Sequence, residues 1–245
     1  MSLPDLPDLP NLPDLNDAME PTWPAAATHR LGPWLLREGA DGGKRVSAAS
    51  ALGDVGPGDL ARAEMAMADM GQVPLFVIRP TDQALDILLD RAGYHMLDQV
   101  LIYSAPCAPL AALPLPGLAA FPHWPPLEIA RSIWAEAGIG PARMAVMDRV
   151  SLPKTVLLGR VANRSGGAAF VAANHGVAFI HGLEVRPALR RMGLGRHMMI
   201  AAARWATTMG CTDLALAVTT ANLAARQLYA SLGMAVAGQY HYRQR

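Results

Sequence analysis

Two glycines one residue apart stand where a strand gives way to a helix, and no other feature restricts this chain so much. Leu183-Glu184-Val185-Arg186-Pro187 reads as the end of a β-strand, because proline lacks the N–H that a ladder needs. Arg190-Arg191-Met192-Gly193-Leu194-Gly195 then forms a turn. Beyond it, Leu194, Met198, Ala201, Ala202, Trp205 and Met209 recur at helical spacing as one apolar stripe. The glycines allow a sharp bend that brings several backbone N–H groups to one point, and the helix start adds partial positive charge there. Arg190, Arg191 and Arg196 surround the turn. This is the local physics of a pyrophosphate cradle.

Gly-x-Gly alone fits several nucleotide sites, and two of them fail here. A dinucleotide fingerprint needs a third glycine where Met198 stands, and a P-loop needs Lys-Ser/Thr where Arg196-His197 stands. Gly42-Gly43-Lys44 is followed by Arg45 and by no helical pattern, so it fails too.

A second segment lies about thirty residues on. Leu214, Leu216 and Val218 alternate as a strand, and a helix from Asn222 to Leu232 follows, with Ala225, Leu228, Tyr229 and Leu232 on one face and Gly233 as its stop. Together the two segments resemble the GNAT N-acetyltransferase superfamily. Its Leu-x-Val-x-Pro strand and Arg-x-x-Gly-x-Gly turn are matched by 183–187 and 190–195. Its Asn-x-x-Ala-x-x-Leu-Tyr-x-x-x-Gly-Phe run is matched at Asn222, Ala225, Leu228, Tyr229 and Gly233, with Met234 in place of Phe.

The resemblance implies an α+β fold, a central mixed sheet flanked by helices, and transfer of an acetyl group from acetyl-CoA to a primary amine of a small molecule or peptide in a ternary complex. It implies that backbone groups of Met192, Gly193, Leu194, Gly195 and Arg196, flanked by Arg190 and Arg191, hold the CoA pyrophosphate. Leu183 and Val185 would pair with the pantetheine arm, where their strand splays from the next. Asn222 and Ala225 would sit at the cofactor, and Asn222 can equally cap its helix. Tyr229 would protonate the departing thiolate as general acid. A family acid on the fourth strand is replaced by Phe179; His181 and Glu184 are candidate bases on that strand, and deprotonation through a water or capture of a neutral amine would need neither. Strand alternation puts those two on opposite faces unless a bulge intervenes. The alternative function is a non-catalytic acyl-CoA-binding module.

Leu3 to Leu15 repeats Leu-Pro-Asp or Leu-Pro-Asn with period three, and residues 1–21 are expected to be a disordered tail. Residues 22–106 are expected to form a degenerate GNAT-like domain that walls the acceptor site, since 82–103 is a faded copy of 221–242. Residues 107–126, rich in proline, read as a linker, and 127–245 as the acetyltransferase domain. Strands are expected at 34–38, 45–51, 73–78, 100–103, 142–148, 155–161, 168–173 and 177–185.

The chain is 52% hydrophobic and 17% charged with a net charge of +1, so it can bury a core and has no global electrostatic reason to bind nucleic acid or an anionic membrane. Cys107 and Cys211 lack metal-ligand spacing, and no metal is expected. The N-terminus is acidic and proline-rich, unlike a secretory signal, so a cytoplasmic location is expected.

Overall fold

The computed structural model describes residues 14–245. Asp14 caps α1 (Leu15–Met19) by accepting from the Asn16 N–H at 2.8 Å, and a 3₁₀ turn, Glu20–Thr22, follows. Next come β1 (Ala27–Leu31), β2 (Trp34–Glu38), the single helical turn α2 (Lys44–Ser47) and β3 (Ser50–Ala51). The first half closes with α3 (Pro57–Asp69), β4 (Leu75–Ile78), α4 (Gln83–Arg91) and β5 (His95–Pro106). The rest comprises α5 (Cys107–Ala111), β6 (Ala120–His123), α6 (Glu128–Glu136), α7 (Pro141–Arg149), β7 (Lys154–Val161), β8 (Arg164–Asn174), β9 (Val177–Val185), α8 (Leu194–Thr208), β10 (Asp213–Thr219), α9 (Leu223–Ser231) and β11 (Ala235–Gln244).

Strands from both halves build one eight-stranded sheet in the order β4-β11-β5-β10-β9-β8-β7-β6. Only β9 and β10 pair in parallel; the other neighbours are antiparallel. The centre of this sheet is a reciprocal exchange. β11 lies between β4 and β5 of the first half, while β5 lies between β10 and β11 of the second. Each half thus supplies a strand, a helix ended by a left-handed glycine (Gly93, φ +82°; Gly233, φ +76°) and a final strand given to the other half. At this register Leu89, fully buried, occupies the place of Tyr229, and Asp82 the place of Asn222. The first half therefore keeps the packing of the repeat without its phenol.

One face of the sheet is covered by α8, α9 and α5, and its core includes Leu194, Met198, Ala202, Leu214 and Tyr229. The opposite face carries α6 and α7 near β8, and α1, α3 and α4 near β4 and β5. Helix α8 presses close to the sheet: a Cβ on Gly167 or Gly159 would come within 2.4 or 2.8 Å of Met198 Sδ. The apolar stripe read from the sequence is buried as far as Ala202, but Trp205 is half-buried and Met209 exposed at the solvent end.

Four expectations need correction. Residues 14–21 of the proposed tail are ordered, with Leu15, Ala18 and Met19 all below 7% exposure against the first-half core. The remainder of that segment, 1–13, lies outside the described residues. The strand expected at 142–148 is helix α7: Pro141 sits at its first turn, where no N–H is needed, and an apolar run this short reads equally as strand or helix. The strand expected at 45–51 is mostly α2, with only Ser50–Ala51 extended. The proline-rich segment 107–126 carries α5, packed on α8, and β6, which pairs with β7 at the sheet edge, where Pro122 costs no inner ladder bond. Strands on both sides of that segment share the one sheet.

Candidate active site

Parallel pairing between β9 and β10 stops at Ile180–Leu216, although both strands continue. Residues 181–185 and 217–219 therefore diverge and leave backbone groups unpaired with each other. A cavity of about 540 Å³ occupies the gap and is lined by Leu183, Glu184, His181, Asn222 and Tyr229 among others. At the α8 end, Gly193 adopts a left-handed backbone (φ +82°) and offers no side-chain cap. His197 N–H is bonded to Gly193 O at 3.0 Å, so the amides of Leu194, Gly195 and Arg196 precede the first helical bond and have no intrahelical acceptor. Gly195 serves packing as well, because a Cβ there would meet Leu228 Cδ2 of α9 at 3.0 Å.

The flanking residues differ in how they meet this turn. Arg190 Nε donates back to Val185 O at 2.9 Å, which ties the turn to the end of β9. Arg191 is held at φ +63°, and it and Met192 are exposed. Arg196 is half-buried in the first turn of α8. Asn222 caps α9, its Oδ1 accepting from Ala225 N–H at 3.1 Å, so the capping role is realised.

Tyr229 enters from the α8/α9 face. It is 6% exposed, its ring centroid lies 5.6 Å from that of Tyr103, and burial, then the charge of Glu184, pushes its phenol up to about 12. The group is a protonated donor throughout the neutral range.

His181 and Glu184 are brought together by a bulge. Phe170 opposes His181 and Ala168 opposes Glu184, so Gly182 and Leu183 together face Ala169. The extra residue resets the alternation, and both candidates lie on the face opposite Tyr229. Gly182 makes this possible with φ +53°, and its carbonyl accepts from Trp134 Nε1 at 2.7 Å. An isolated glycine within a strand pattern is the sequence signal for such a bulge.

The two candidates have different chemistry. Both ring nitrogens of His181 are engaged, Nε2 with Thr22 Oγ1 at 2.9 Å and Nδ1 with Arg45 Nη1 at 3.0 Å. Thr22 donates its own proton to Met19 O at 2.6 Å, so it accepts from His181 Nε2–H, and the guanidinium donates to Nδ1. Burial, helped by Arg45, holds the imidazole pKa well below its usual value, and it is neutral with no free lone pair. Glu184 is half-buried, and burial raises its pKa against the opposing pull of Arg190 and Arg143. Of the two, Glu184 has the free acceptor oxygens and the adjusted basicity. Phe179, in the place of the family's acid, is fully buried.

Sequence motifs did not point to the first-half residues at this cleft. Trp23, stacked 4.9 Å from the His181 ring, lines it together with Lys44, Arg45 and Asp98. No local pattern marks them, since the tertiary fold alone brings α2 and the 3₁₀ turn to β9.

The segment bearing these features, residues 156–234, matches the model of the acetyltransferase (GNAT) family. Over that segment the chain is similar to the GNAT acetyltransferases. YobR of Bacillus subtilis, an uncharacterised N-acetyltransferase, is 24% identical over 233 residues, covering 91% of this chain and 94% of that protein. A GCN5-related N-acetyltransferase from Kribbella flavida superposes with a TM-score of 0.68 at 17% identity, over 94% of this chain and 93% of its own. A tandem GNAT protein from the clavulanic acid biosynthesis pathway does so with a TM-score of 0.59 at 14% identity, over 91% and 84%. The GNAT fold of the present chain thus extends over both halves. The family matched over 156–234 is one of acetyltransferases. Among the described residues there is no cluster of three His, Cys, Asp or Glu suited to a metal, and no helix is long and apolar enough to cross a membrane.

Proposed function

We propose that the protein is an acetyl-CoA-dependent N-acetyltransferase that acts on a primary amine in a ternary complex. The observation that carries this reading is the end of β9–β10 pairing at Ile180–Leu216, because it opens the sheet to a cavity where Tyr229 arrives from one face and Glu184 from the other. The residues fit the cosubstrate: free amides at the start of a fifteen-residue helix meet the demands of a pyrophosphate, and the unpaired edge at Leu183 and Val185 those of an amide-bearing arm. Bound acetyl-CoA supplies the thioester. Glu184 takes the proton of the incoming ammonium or amine, the backbone N–H groups of splayed β9 orient and polarise the carbonyl, and Tyr229 O–H gives its proton to the departing sulfur.

His181 is a positioning residue in this scheme. It ties α2 and the 3₁₀ turn to the bulge that presents Glu184. Buried Phe179 favours a second reading, a module that binds acyl-CoA without chemistry. Thioester consumption by purified protein across a panel of primary amines tests the choice. Amine-dependent release of free CoA is expected, whereas acetyl-CoA binding without release under any amine would leave the binding module.

A further inference from the structure

The face of the cleft opposite Tyr229 holds three cationic side chains to which no substrate contact has been given: Lys44 and Arg45 of α2, and Arg143 of α7. Its other ionisable neighbours are Asp98, Glu184, neutral His181 and the phenols of Tyr240 and Tyr242. Asp98 pairs with Lys44, and Glu184 feels the pull of Arg143. Arg45 has no acidic partner among the described residues. Its Nη1 donates to His181, while its Nε is sealed from solvent with no hydrogen-bond partner. A guanidinium retained in this way, with only His181 and the phenols of Tyr240 and Tyr242 as polar company beside Trp23, is left without the counter-charge that an anion would supply.

We infer that Arg45 receives a carboxylate of the acceptor, so that the amine acetylated here is a small amino-acid-like molecule. The inference rests on the acetyl-transfer reading and narrows its substrate. Charge favours it: three cations against two acids leave one positive charge in excess, which a zwitterionic amino acid leaves unchanged and a bare protonated amine doubles. Shape allows it too, since Nη2, neither bonded to His181 nor sealed as Nε is, remains to donate to a carboxylate oxygen. Size is compatible, because a cleft of about 540 Å³ takes an amino acid beside the thioester end. Exposed Arg143 stands at the rim of the same cleft and attracts the same group.

The test compares amino acids with their decarboxylated amines, for example tyrosine with tyramine and ornithine with putrescine, as kcat/KM corrected for free-amine fraction. Amino acids should be preferred at least tenfold. Arg45→Gln should abolish that preference by raising the amino-acid KM at least tenfold, with acetyl-CoA affinity unchanged by calorimetry, and Arg45→Lys should restore part of it. Because Arg45 also holds His181, Arg143→Gln provides a variant at an exposed position, and it should reduce the preference severalfold with the melting temperature unchanged. Direct calorimetry of amino acids on the CoA-loaded protein reads binding independently of turnover. Equal use of the decarboxylated amines overturns the carboxylate assignment while leaving the transferase reading intact. So does a preference that persists in Arg45→Gln, and so does the absence of amino-acid binding to the loaded protein. Amino-acid binding with no acetyl transfer would instead uphold the carboxylate site and remove the transferase reading.

Discussion

Thr22 Oγ1 and His181 Nε2 lie 2.9 Å apart and join positions separated by 159 residues. The bond fastens the segment after α1 to the bulged strand β9 of the candidate site. It is reinforced by Arg37, whose guanidinium takes both oxygens of Glu20 at 2.7 and 2.9 Å, and by Asn174 Nδ2, which donates to Ala18 O at 2.9 Å. The segment from Leu15 to Trp23 therefore acts as a strap across one face of the sheet.

Removal of residues 2–19 should destabilise the protein. It exposes the sites filled by Leu15 and Met19 and carries away the Ala18 carbonyl that Asn174 uses. At about 1.5–3 kcal/mol for each large apolar side chain, the loss is on the order of 3–6 kcal/mol. For a chain of this size that lowers Tm by roughly 6–24 °C, as scanning calorimetry will show. An unchanged Tm would mean that the strap contributes nothing to the fold.

Neutral, buried His181 should make stability depend on pH. Its folded pKa lies below the 6.5 of the unfolded chain, so the unfolded state binds the extra proton as pH falls. The contribution is complete above pH 6.5 and is lost progressively below it, by up to about 1.4 kcal/mol per pH unit. Urea titrations between pH 7 and 5 should show this slope in the wild type. They should show a reduced slope in His181→Gln, which keeps polar contacts without the titration.

Glu184 should set the acid limb of turnover. Burial raises its pKa, so the ionised, proton-accepting form appears at higher pH than for a free glutamate. Activity is expected to rise with pH through that raised value. Glu184→Gln should lower single-turnover rates by about 10²-fold, near the lower end for general base catalysis, and abolish the limb. Retention of the limb in the Gln variant would move the base elsewhere.

For Tyr229→Phe, packing against Tyr103 and the α9 core is kept and only the hydroxyl is lost. The single-turnover rate should fall about 10²-fold, with little change in acetyl-CoA affinity, because the proton is needed only as the sulfur departs. With its phenol at about 12, no alkaline loss assignable to Tyr229 should appear below pH 10. Full activity in the Phe variant would eliminate it as the acid.

Gly193→Val places a branched side chain at φ +82°, in a conformation that L residues avoid. Acetyl-CoA affinity should drop at least tenfold by calorimetry as the turn before α8 rearranges. A folded variant that binds as tightly as the wild type would dismiss this turn as the phosphate site.

What the sequence by itself determined was local. The α8 turn, the α9 helix with its Asn222 cap and Gly233 stop, and the strands leading into both are written in glycine placement and in apolar spacing over short windows. These are the features that backbone sterics and helix termini dictate within a few residues. The tertiary structure alone decided the rest. The exchange of β5 and β11 depends on two halves that each lack a neighbour for their last strands, and nothing local to 95–106 or 235–244 encodes which partner they meet. Residues 15–23 lie beside a proline-rich repeat, but Leu15, Ala18 and Met19 have a core to enter only once the sheet exists. Arg45 and Trp23 reach the cleft for the same reason. Whether His181 or Glu184 is free to take a proton turned on a one-residue bulge at Gly182 and on two hydrogen bonds from sequence-distant side chains, and spacing along the chain does not carry that information.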